Sequence, residues 1–282
     1  MPRGDLATRR AAVDCAGMSL DRVYRHLWSA LTEGEGEVFG GSSPRGPEWI
    51  FSMTDDLGLD ARTRVLDLGC GPGEQARELR RRYGARIVCV DPLLSHLHSV
   101  RAACAAGSAG LAFLPAAGRM ERVPLASGSV DLVWLRDALV HSARPDLTAA
   151  ECQRVLVSGG HLLLHSAYAT EKLSSAERQL LIENMLVSEA GLDREVVDRA
   201  LERSGLRKVR EEELGSELAE HYEVAEGAGS RALLRIARVG RSPEEARRRW
   251  GDERLAATWG IDHWVVFELL GKLSYRTTLL VA

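Results

Sequence analysis

Short apolar runs alternate with amphipathic stretches between residues 64 and 157, a pattern that is typical of repeated strand–helix units. Five apolar runs predict strands, and they cover residues 64–68, 86–90, 111–114, 130–135 and 161–165. The stretches between strands have helical character at residues 74–83, 93–106 and 148–157. Ser158, Gly159 and Gly160 follow the last of these and predict its C-terminal end. Because strands joined by helices pair in parallel, this part of the chain predicts a parallel sheet.

The pattern changes after residue 167, where helical stretches predominate. Helices are predicted at residues 171–192 and 194–204, and a sixth strand at residues 206–213. Residues 216–270 are mostly helical, and a last strand is predicted at residues 277–281. The sequence therefore predicts an α/β fold with a doubly wound, mostly parallel, seven-stranded sheet and helical lid insertions.

The same pattern divides the chain into five predicted segments. They are an N-terminal helical arm at 1–45, a ligand-binding core at 46–167, helices with the sixth strand at 168–215, a helical lid over the substrate at 216–272 and the last strand at 273–282. Glycine, serine and proline are concentrated at residues 40–46, which predicts a loop between the arm and the core.

Composition and charge narrow the functional classes. The chain has 282 residues, of which 45% are hydrophobic and 27% charged, with a formal net charge of -3. This charge provides no general attraction to nucleic acid. No run approaches the ~18 apolar residues that a membrane span needs, and the first residues lack the apolar core of a signal peptide. The five cysteines are widely spaced and form no C-x-x-C pair, so we expect reduced thiols and a cytoplasmic protein.

Three glycines stand at alternate positions between the first predicted strand and the helix that begins near Glu74. Gly69, Gly71 and Gly73 allow a sharp turn and leave the main-chain N–H groups open to a ligand. Asp91 ends the next strand, where a carboxylate can accept hydrogen bonds from ribose hydroxyls. Any βα turn can contain glycines, but strand, spacing, helix and acid together favour a nucleoside-containing ligand.

The alternative to this interpretation is a dinucleotide site, whose fingerprint is G-x-G-x-x-G. Counted from Gly69, the last glycine of that fingerprint falls at Glu74. A carboxylate there repels a pyrophosphate seated on the helix N-terminus. The residue at this position therefore argues against a dinucleotide.

These residues resemble motif I of the class I methyltransferases that use S-adenosylmethionine (SAM). Residues 65–74 match the signature D-x-G-C-G-x-G, and Asp91 matches the ribose-binding acid of that family. Residues 123–134 are similar to its "LPF…GSFDLV" segment, and residues 154–160 to its "RVLKPGG" segment. SAM carries no phosphate, so Glu74 is compatible with it.

The resemblance implies SAM as the cofactor and assigns a set of cofactor-binding residues. That set is Asp67, Gly69, Cys70, Gly71, Gly73, Asp91, Pro92, Met120, Glu121, Leu135 and Arg136, with Tyr24 covering the cofactor from the N-terminal arm. One departure is Arg119, which stands where relatives carry an Asp for the adenine amino group. We therefore expect Met120 to pack on the adenine ring.

Candidate catalytic and substrate residues follow the predicted strands. His141 lies after the fourth strand and is a candidate general base, although it could instead hydrogen-bond the cofactor or a loop carbonyl. Asp137 could polarise His141 or contact the cofactor. The substrate-facing candidates, each of which could instead be structural, are His165, Tyr168, Trp259 and Trp264. No recognised zinc spacing occurs, so we expect no metal.

The leading functional hypothesis is methyl transfer to a small, fairly apolar metabolite of the natural-product type. Three alternatives stay open at this point: a SAM-fold enzyme that catalyses cyclisation or rearrangement, a methyltransferase acting on RNA or protein, and a non-catalytic scaffold. The acidic net charge and the absence of an N-P-P-Y type tetrapeptide after strand four argue against nucleobases as acceptors. Exposed apolar lid helices are a possible homodimer surface.

Overall fold

A computed structural model of the chain describes residues 43–106 and 113–282. The predicted N-terminal arm lies almost wholly outside these residues, and so does Tyr24. Within the described part, no helix is long and apolar enough to cross a membrane.

Seven strands of the described residues form one sheet. They are β1 Arg64–Leu68, β2 Arg86–Asp91, β3 Phe113–Ala117, β4 Val130–Arg136, β5 Leu156–Ala169, β6 Arg207–Gly215 and β7 Leu273–Val281. The α-helices of the same residues, numbered in chain order, are α1 Trp49–Ser52, α2 Glu74–Tyr83, α3 Leu94–Ala106, α4 Pro145–Val155, α5 Ser175–Met185, α6 Glu189–Leu192, α7 Arg194–Arg203, α8 Glu217–Glu226, α9 Ala228–Arg241, α10 Pro243–Trp250 and α11 Asp252–Leu269.

The strand order across the sheet is β3-β2-β1-β4-β5-β7-β6. Strands β1 to β5 pair in parallel, whereas β7 pairs antiparallel with both β5 and β6. The predicted doubly wound, mostly parallel, seven-stranded sheet is therefore confirmed. Strand order reverses between β1 and β4, and ligands of doubly wound sheets bind at the carboxyl ends of the strands beside such a reversal.

The central strands are buried on both faces, which explains why they are nearly continuous apolar runs. Val65 and Leu132 pack into the core on one face, and Leu66 and Val133 pack into the core on the other. This alternation fixes the register of β1 against β4. The carboxyl ends of the two strands are thereby held at one edge of the sheet.

The segment before β5 differs from the sequence prediction. Helix α4 begins at Pro145, a residue suited to the first helical position, and it ends at Val155. Gly159 and Gly160 do not end this helix but lie within β5. The Gly159 N–H donates a 3.0 Å hydrogen bond to the Ala282 carbonyl, and the Ala282 N–H donates a 2.9 Å bond to the Gly160 carbonyl. This long-range pairing places both glycines in the sheet.

The region after β5 also differs in detail. A capping box made by Ser174 and Glu177 begins α5, four residues later than predicted, and the predicted helix at 171–192 is divided into α5 and α6. Strand β3 runs to Ala117, beyond the predicted end, and residues 111 and 112 lie outside the described residues. The region predicted to be mostly helical, residues 216–270, contains helices α8 to α11.

Candidate functional site

The turn between β1 and α2 holds all three motif glycines in the left-handed region, with φ of +75°, +51° and +85° for Gly69, Gly71 and Gly73. A Cβ on Gly69 would collide with the Cβ of Ala138, and one on Gly73 would lie 2.9 Å from Val100 Cγ2. A Cβ on Gly71 would meet no protein atom within 4 Å. Two glycines therefore allow close packing, and the third leaves open space beside the turn.

Asp91 connects the end of β2 to this turn. Its Oδ2 accepts a hydrogen bond of 3.0 Å from the Gly71 N–H, and its Oδ1 accepts one of 2.8 Å from the Leu93 N–H. His96 Nδ1 lies 3.1 Å from the same Oδ1. Since each carboxylate oxygen has two acceptor sites, Asp91 can hold the turn and still accept from ribose hydroxyls.

Two cavities lie on either side of Gly69. The first has a volume of about 290 Å³ and is lined by Pro92, Met120, Glu121 and His141, among others. This arrangement brings three residues of the predicted cofactor-binding set together with His141, the candidate general base. Met120 is partly buried against the core, where its thioether can pack on an adenine ring.

The second cavity has a volume of about 480 Å³ and is lined by Cys70, Gly71, Arg136 and Asp137, again with Gly69. Asp137 has a φ of +56°, which is uncommon for a residue other than glycine. Arg136 Nε donates a 3.1 Å hydrogen bond to Asp137 Oδ2. An ion pair and the glycine turn therefore line the same cavity.

Asp67 lies inside β1 below the turn and is 2% exposed. Burial raises the pKa of its carboxyl to about 7, partly offset by a backbone hydrogen bond from Ala76 and by the charge of Arg136. Its Oδ2 has no hydrogen-bond partner, which is rare for a buried polar atom. A ligand with ribose hydroxyls and an ammonium group fits these residues, and SAM has both.

His141 closes a short 3₁₀ turn after β4, Leu139–His141, and its side chain is exposed. Its Nδ1 lies 3.2 Å from the carbonyl oxygen of Leu186. It lines the first cavity beside Met120, whereas Asp137 lines the second. A role as general base stays a prediction, and the contact with a loop carbonyl is the alternative that the sequence left open.

His165 is fully buried in β5. Its Nδ1 lies 2.8 Å from Thr277 Oγ1, and its ring stacks on Tyr275 with centroids 4.9 Å apart. Its Nε2 lies 3.9 Å from Asp137 Oδ1. Burial is the main cause that lowers the pKa of His165, to about 4, so the imidazole is neutral near pH 7.

The other predicted substrate residues are not all close to Asp137. Tyr168 packs in the core cluster that also holds α7, with the Arg276 guanidinium 4.7 Å from its ring centroid. Trp259 is half-buried on α11. Trp264 is buried on the same helix and interacts with the hydroxyl of Tyr275. The structure therefore brings Trp264 and His165 to one region and Tyr168 to another.

Two polar residues of this region were missed by the sequence analysis. Glu268, near the end of α11, is 6% exposed, and Tyr275 of β7 is also 6% exposed. The signal for Glu268 was a lone carboxylate in the otherwise apolar residues 264–270. Within the part of the chain that the structure describes, no group of three or more acidic, His or Cys side chains has the arrangement of a metal site.

Gly71→Leu is expected to weaken SAM binding at least tenfold, because the side chain enters the open space that the cofactor needs. The protein should stay folded, since no protein atom lies within 4 Å of the new Cβ, with a cost of about 1–2 kcal/mol for a left-handed non-glycine residue. Calorimetric titration with SAM measures the effect.

The matched control is Gly58→Leu. Gly58 has a φ of +61° and equally open surroundings, so it imposes a similar backbone cost away from the two cavities. Equal loss of SAM binding in both variants would contradict a cofactor role for the turn.

Comparison with known proteins agrees with this geometry. A sarcosine/dimethylglycine N-methyltransferase of Halorhodospira halochloris is 26% identical over 87% of this chain and 86% of its own length. A glycine/sarcosine/dimethylglycine N-methyltransferase of Actinopolyspora halophila is 27% identical over 72% of this chain. That alignment covers only 36% of the relative, so the chain spans about a third of the longer protein.

The solved structures extend the comparison to the fold. Geranyl diphosphate C-methyltransferase from Streptomyces coelicolor A3(2), solved with S-adenosylhomocysteine, has a TM-score of 0.63 and 16% identity, over 83% of this chain and 79% of that one. Residues 66–164 match the family described as a methyltransferase domain. They contain the glycine turn, Asp91 and Asp137. Residues 66–164 thus match a methyltransferase domain, and solved methyltransferases share the fold around it.

Proposed function

We propose that this chain is a SAM-dependent methyltransferase that transfers a methyl group to a small metabolite by in-line displacement. One observation supports this function above the others: the glycine turn and the Asp137 carboxylate line the same cavity. A cofactor seated on the turn and an acceptor beside Asp137 would meet in that space. A shared cavity for cofactor and acceptor suits a reaction that depends on alignment.

The residues around the two cavities have separable roles in this proposal. Asp91 accepts from the ribose hydroxyls, and Met120 and Glu121 hold the adenine. Asp67, Arg136 and the glycine turn, with Leu135 at the end of β4, hold the amino-acid end. When bound, SAM supplies an already electrophilic methyl group on a sulfonium. The protein therefore has to orient the acceptor, exclude water and hold the proton that the acceptor loses.

The helical insertion at residues 216–272 is proposed as the lid on the acceptor side. Its α11 supplies Trp264 and Glu268, which lie beside Tyr275 and Asp137. Loops and insertions beyond the carboxyl ends of parallel strands commonly provide substrate selectivity.

The compartment and the assembly also belong to this proposal. Cys70 and Cys152 are buried and form no disulfide, as is usual for cysteines of cytoplasmic proteins. Exposed apolar residues of the lid helices support a homodimer formed through these helices, and they include Val224, Leu233 and Ile261. Sedimentation of the purified chain measures the assembly.

Turnover is the direct test of the proposed function. The purified chain is incubated with SAM and a panel of acceptors that includes sarcosine, dimethylglycine and natural-product phenols, and S-adenosylhomocysteine is quantified by mass spectrometry. We expect product with at least one acceptor and none without an acceptor. SAM binding with no methyl transfer across the panel would contradict the proposal and favour the rearrangement or scaffold alternatives.

A further inference from the structure

A third cavity is formed by two helices of the insertion, α9 and α10, and by Ser242 between them. Its volume is about 530 Å³. No residue of its described lining is shared with either of the two cavities beside Gly69. The volume falls within the range of about 300–1,000 Å³ that is typical of small-molecule sites. The insertion therefore contains a cavity of ligand size that is separate from the site proposed for the cofactor and the acceptor.

Four arginines of the described residues line this cavity, and they differ in whether a carboxylate neutralises them. Arg235 Nε donates a 2.9 Å hydrogen bond to Asp262 Oδ2 of α11. Arg238, Arg241 and Arg249 form no ion pair in the part of the chain that the structure describes. Like charges that converge without a counter-charge repel one another. Three guanidinium groups are therefore available to a ligand of opposite charge.

The balance of charge around the cavity indicates how much negative charge such a ligand carries. Glu245 also lines the cavity, but it forms no ion pair with any described side chain. Three unpaired arginines and one glutamate leave two positive charges in the lining. Residues 228–250 contain seven arginines and two glutamates, although the whole chain has a net charge of -3. Positive charge is thus concentrated around this cavity, and a ligand with two negative charges would balance it.

A phosphate monoester has the matching charge and shape. It carries about -1.5 to -2 charges near pH 7 and has three acceptor oxygens. The planar guanidinium group of arginine binds phosphate oxygens in pairs and loses its hydration more readily than an ammonium group. The Ser242 side chain makes no capping hydrogen bond at the start of α10, so its hydroxyl can donate to a phosphate oxygen. A carboxylate, with one charge and two oxygens, would leave part of this lining unpaired.

The rest of the lining is apolar and indicates what the phosphate is attached to. Val239 is buried, and Ala246 and Trp250 are half-buried, and all three line the cavity. An indole ring provides a large flat surface on which another ring can stack. The volume left beyond the arginines therefore suits an apolar or aromatic group.

We propose that this cavity binds a small molecule that carries a phosphate monoester on an apolar or aromatic body, and that this molecule is not the methyl acceptor. The inference does not depend on the proposed function. Arg238, Arg241 and Arg249 hold the phosphate, and Trp250 packs against the body. The ion pair between Arg235 and Asp262 joins the wall of the cavity to α11. A bound ligand would therefore stabilise the packing of α9 against the lid helix α11.

Calorimetry with matched ligands tests the site. The full chain is saturated with S-adenosylhomocysteine and titrated at pH 8 with phenyl phosphate, phenyl sulfate and methyl phosphate. Phenyl sulfate has nearly the shape of phenyl phosphate but one negative charge, whereas the phosphate esters are doubly charged well above a second pKa of about 6. We expect phenyl phosphate to bind at one site per chain, at least tenfold more tightly than phenyl sulfate and at least threefold more tightly than methyl phosphate. No binding of phenyl phosphate, or equal affinity for phosphate and sulfate, would overturn the inference.

The same titration without S-adenosylhomocysteine shows whether the two sites are separate. We expect phenyl phosphate to bind with the same affinity, within twofold, because the lining residues are not shared. Binding of phenyl phosphate that S-adenosylhomocysteine abolishes would place the phosphate in the cofactor site and overturn the inference. A chain that binds phenyl phosphate but not S-adenosylhomocysteine would keep the inference and contradict the proposed function.

Substitutions assign the binding to this cavity. Arg238→Gln and Arg249→Gln, at exposed positions of α9 and α10, should each weaken phenyl phosphate binding at least fivefold and leave the affinity for S-adenosylhomocysteine unchanged within twofold. Arg248→Gln is the matched control, because Arg248 is exposed and unpaired on the same helix but outside the described lining. Trp250→Leu should remove the preference for phenyl over methyl phosphate. An equal loss of binding in the Arg248 variant would show a general effect of charge and overturn the inference.

Vesicle flotation distinguishes a free phosphate ester from a lipid headgroup. Phosphatidic acid carries a phosphate monoester, so the full chain is mixed with phosphatidylcholine vesicles with and without phosphatidic acid. We expect the chain to bind phenyl phosphate and to stay unbound to both kinds of vesicle. Binding to phosphatidic acid vesicles without binding of phenyl phosphate would mean that the arginines form a membrane-facing patch, which would overturn the inference.

Discussion

Asp91→Ala is expected to weaken SAM binding at least tenfold, which corresponds to about 1.4 kcal/mol. The substitution removes the acceptor for ribose hydroxyls and also the two hydrogen bonds that hold the Gly71 and Leu93 N–H groups. The glycine turn would thus lose its connection to β2. Calorimetric titration of the variant and the unmodified chain with SAM measures the change.

Asp131→Ala is the control for this prediction. Asp131 is another strand residue whose carboxylate pairs with an arginine, Arg64, but it lies near the start of β4, away from the glycine turn. Its loss should lower stability slightly and leave SAM binding intact. A similar fall in affinity for both variants would mean that Asp91 acts through general stability and not through the cofactor.

Glu268→Gln is expected to stabilise the chain at alkaline pH. The pKa of Glu268 is about 8 in the folded protein, against an ordinary value of 4.5, so its contribution to stability is full below pH 4.5 and is lost as the pH rises through 8. Glutamine does not ionise. The difference in unfolding free energy between variant and unmodified chain should grow by on the order of 4 kcal/mol between pH 5 and pH 8.5.

Denaturant unfolding at several pH values measures this difference, and Glu177→Gln provides a control of opposite sign. A hydrogen bond from Lys272 is the main cause that lowers the pKa of Glu177, so its contribution is present above pH 4.5 and lost as the pH falls. The Glu177 variant should therefore lose relative stability as the pH rises. A Glu268→Gln difference that does not change with pH would contradict the buried, unpaired state of Glu268.

The core of the fold was predictable from the sequence because its strands are buried on both faces and therefore uniformly apolar. The limits of β1 and α2 were predicted correctly, since Gly69 follows the strand and Gly84 follows the helix. The end of α4 was predicted wrongly. Gly159 and Gly160 are typical of a helix end, but long-range pairing with Ala282 placed them in β5. Local patterns cannot show a contact made by the other end of the chain.

The candidate site likewise contains residues that the sequence could predict and residues that it could not. Gly69, Gly71 and Asp91 belong to local motifs whose chemistry depends on spacing, so the sequence was sufficient to propose them. Glu268 and Tyr275 join Asp137 only through α11 and the antiparallel insertion of β7 between β5 and β6. No fixed spacing along the sequence relates these residues to one another. Their convergence is a property of the tertiary fold.

The most direct test of the central claim is calorimetric titration of the purified full chain with SAM and S-adenosylhomocysteine. The geometry of the glycine turn, Asp91 and Asp67 predicts micromolar binding of both ligands with one site per chain, about -8 kcal/mol. Absence of binding by either ligand would contradict the assignment of these residues to the cofactor and, with it, the proposed methyl transfer.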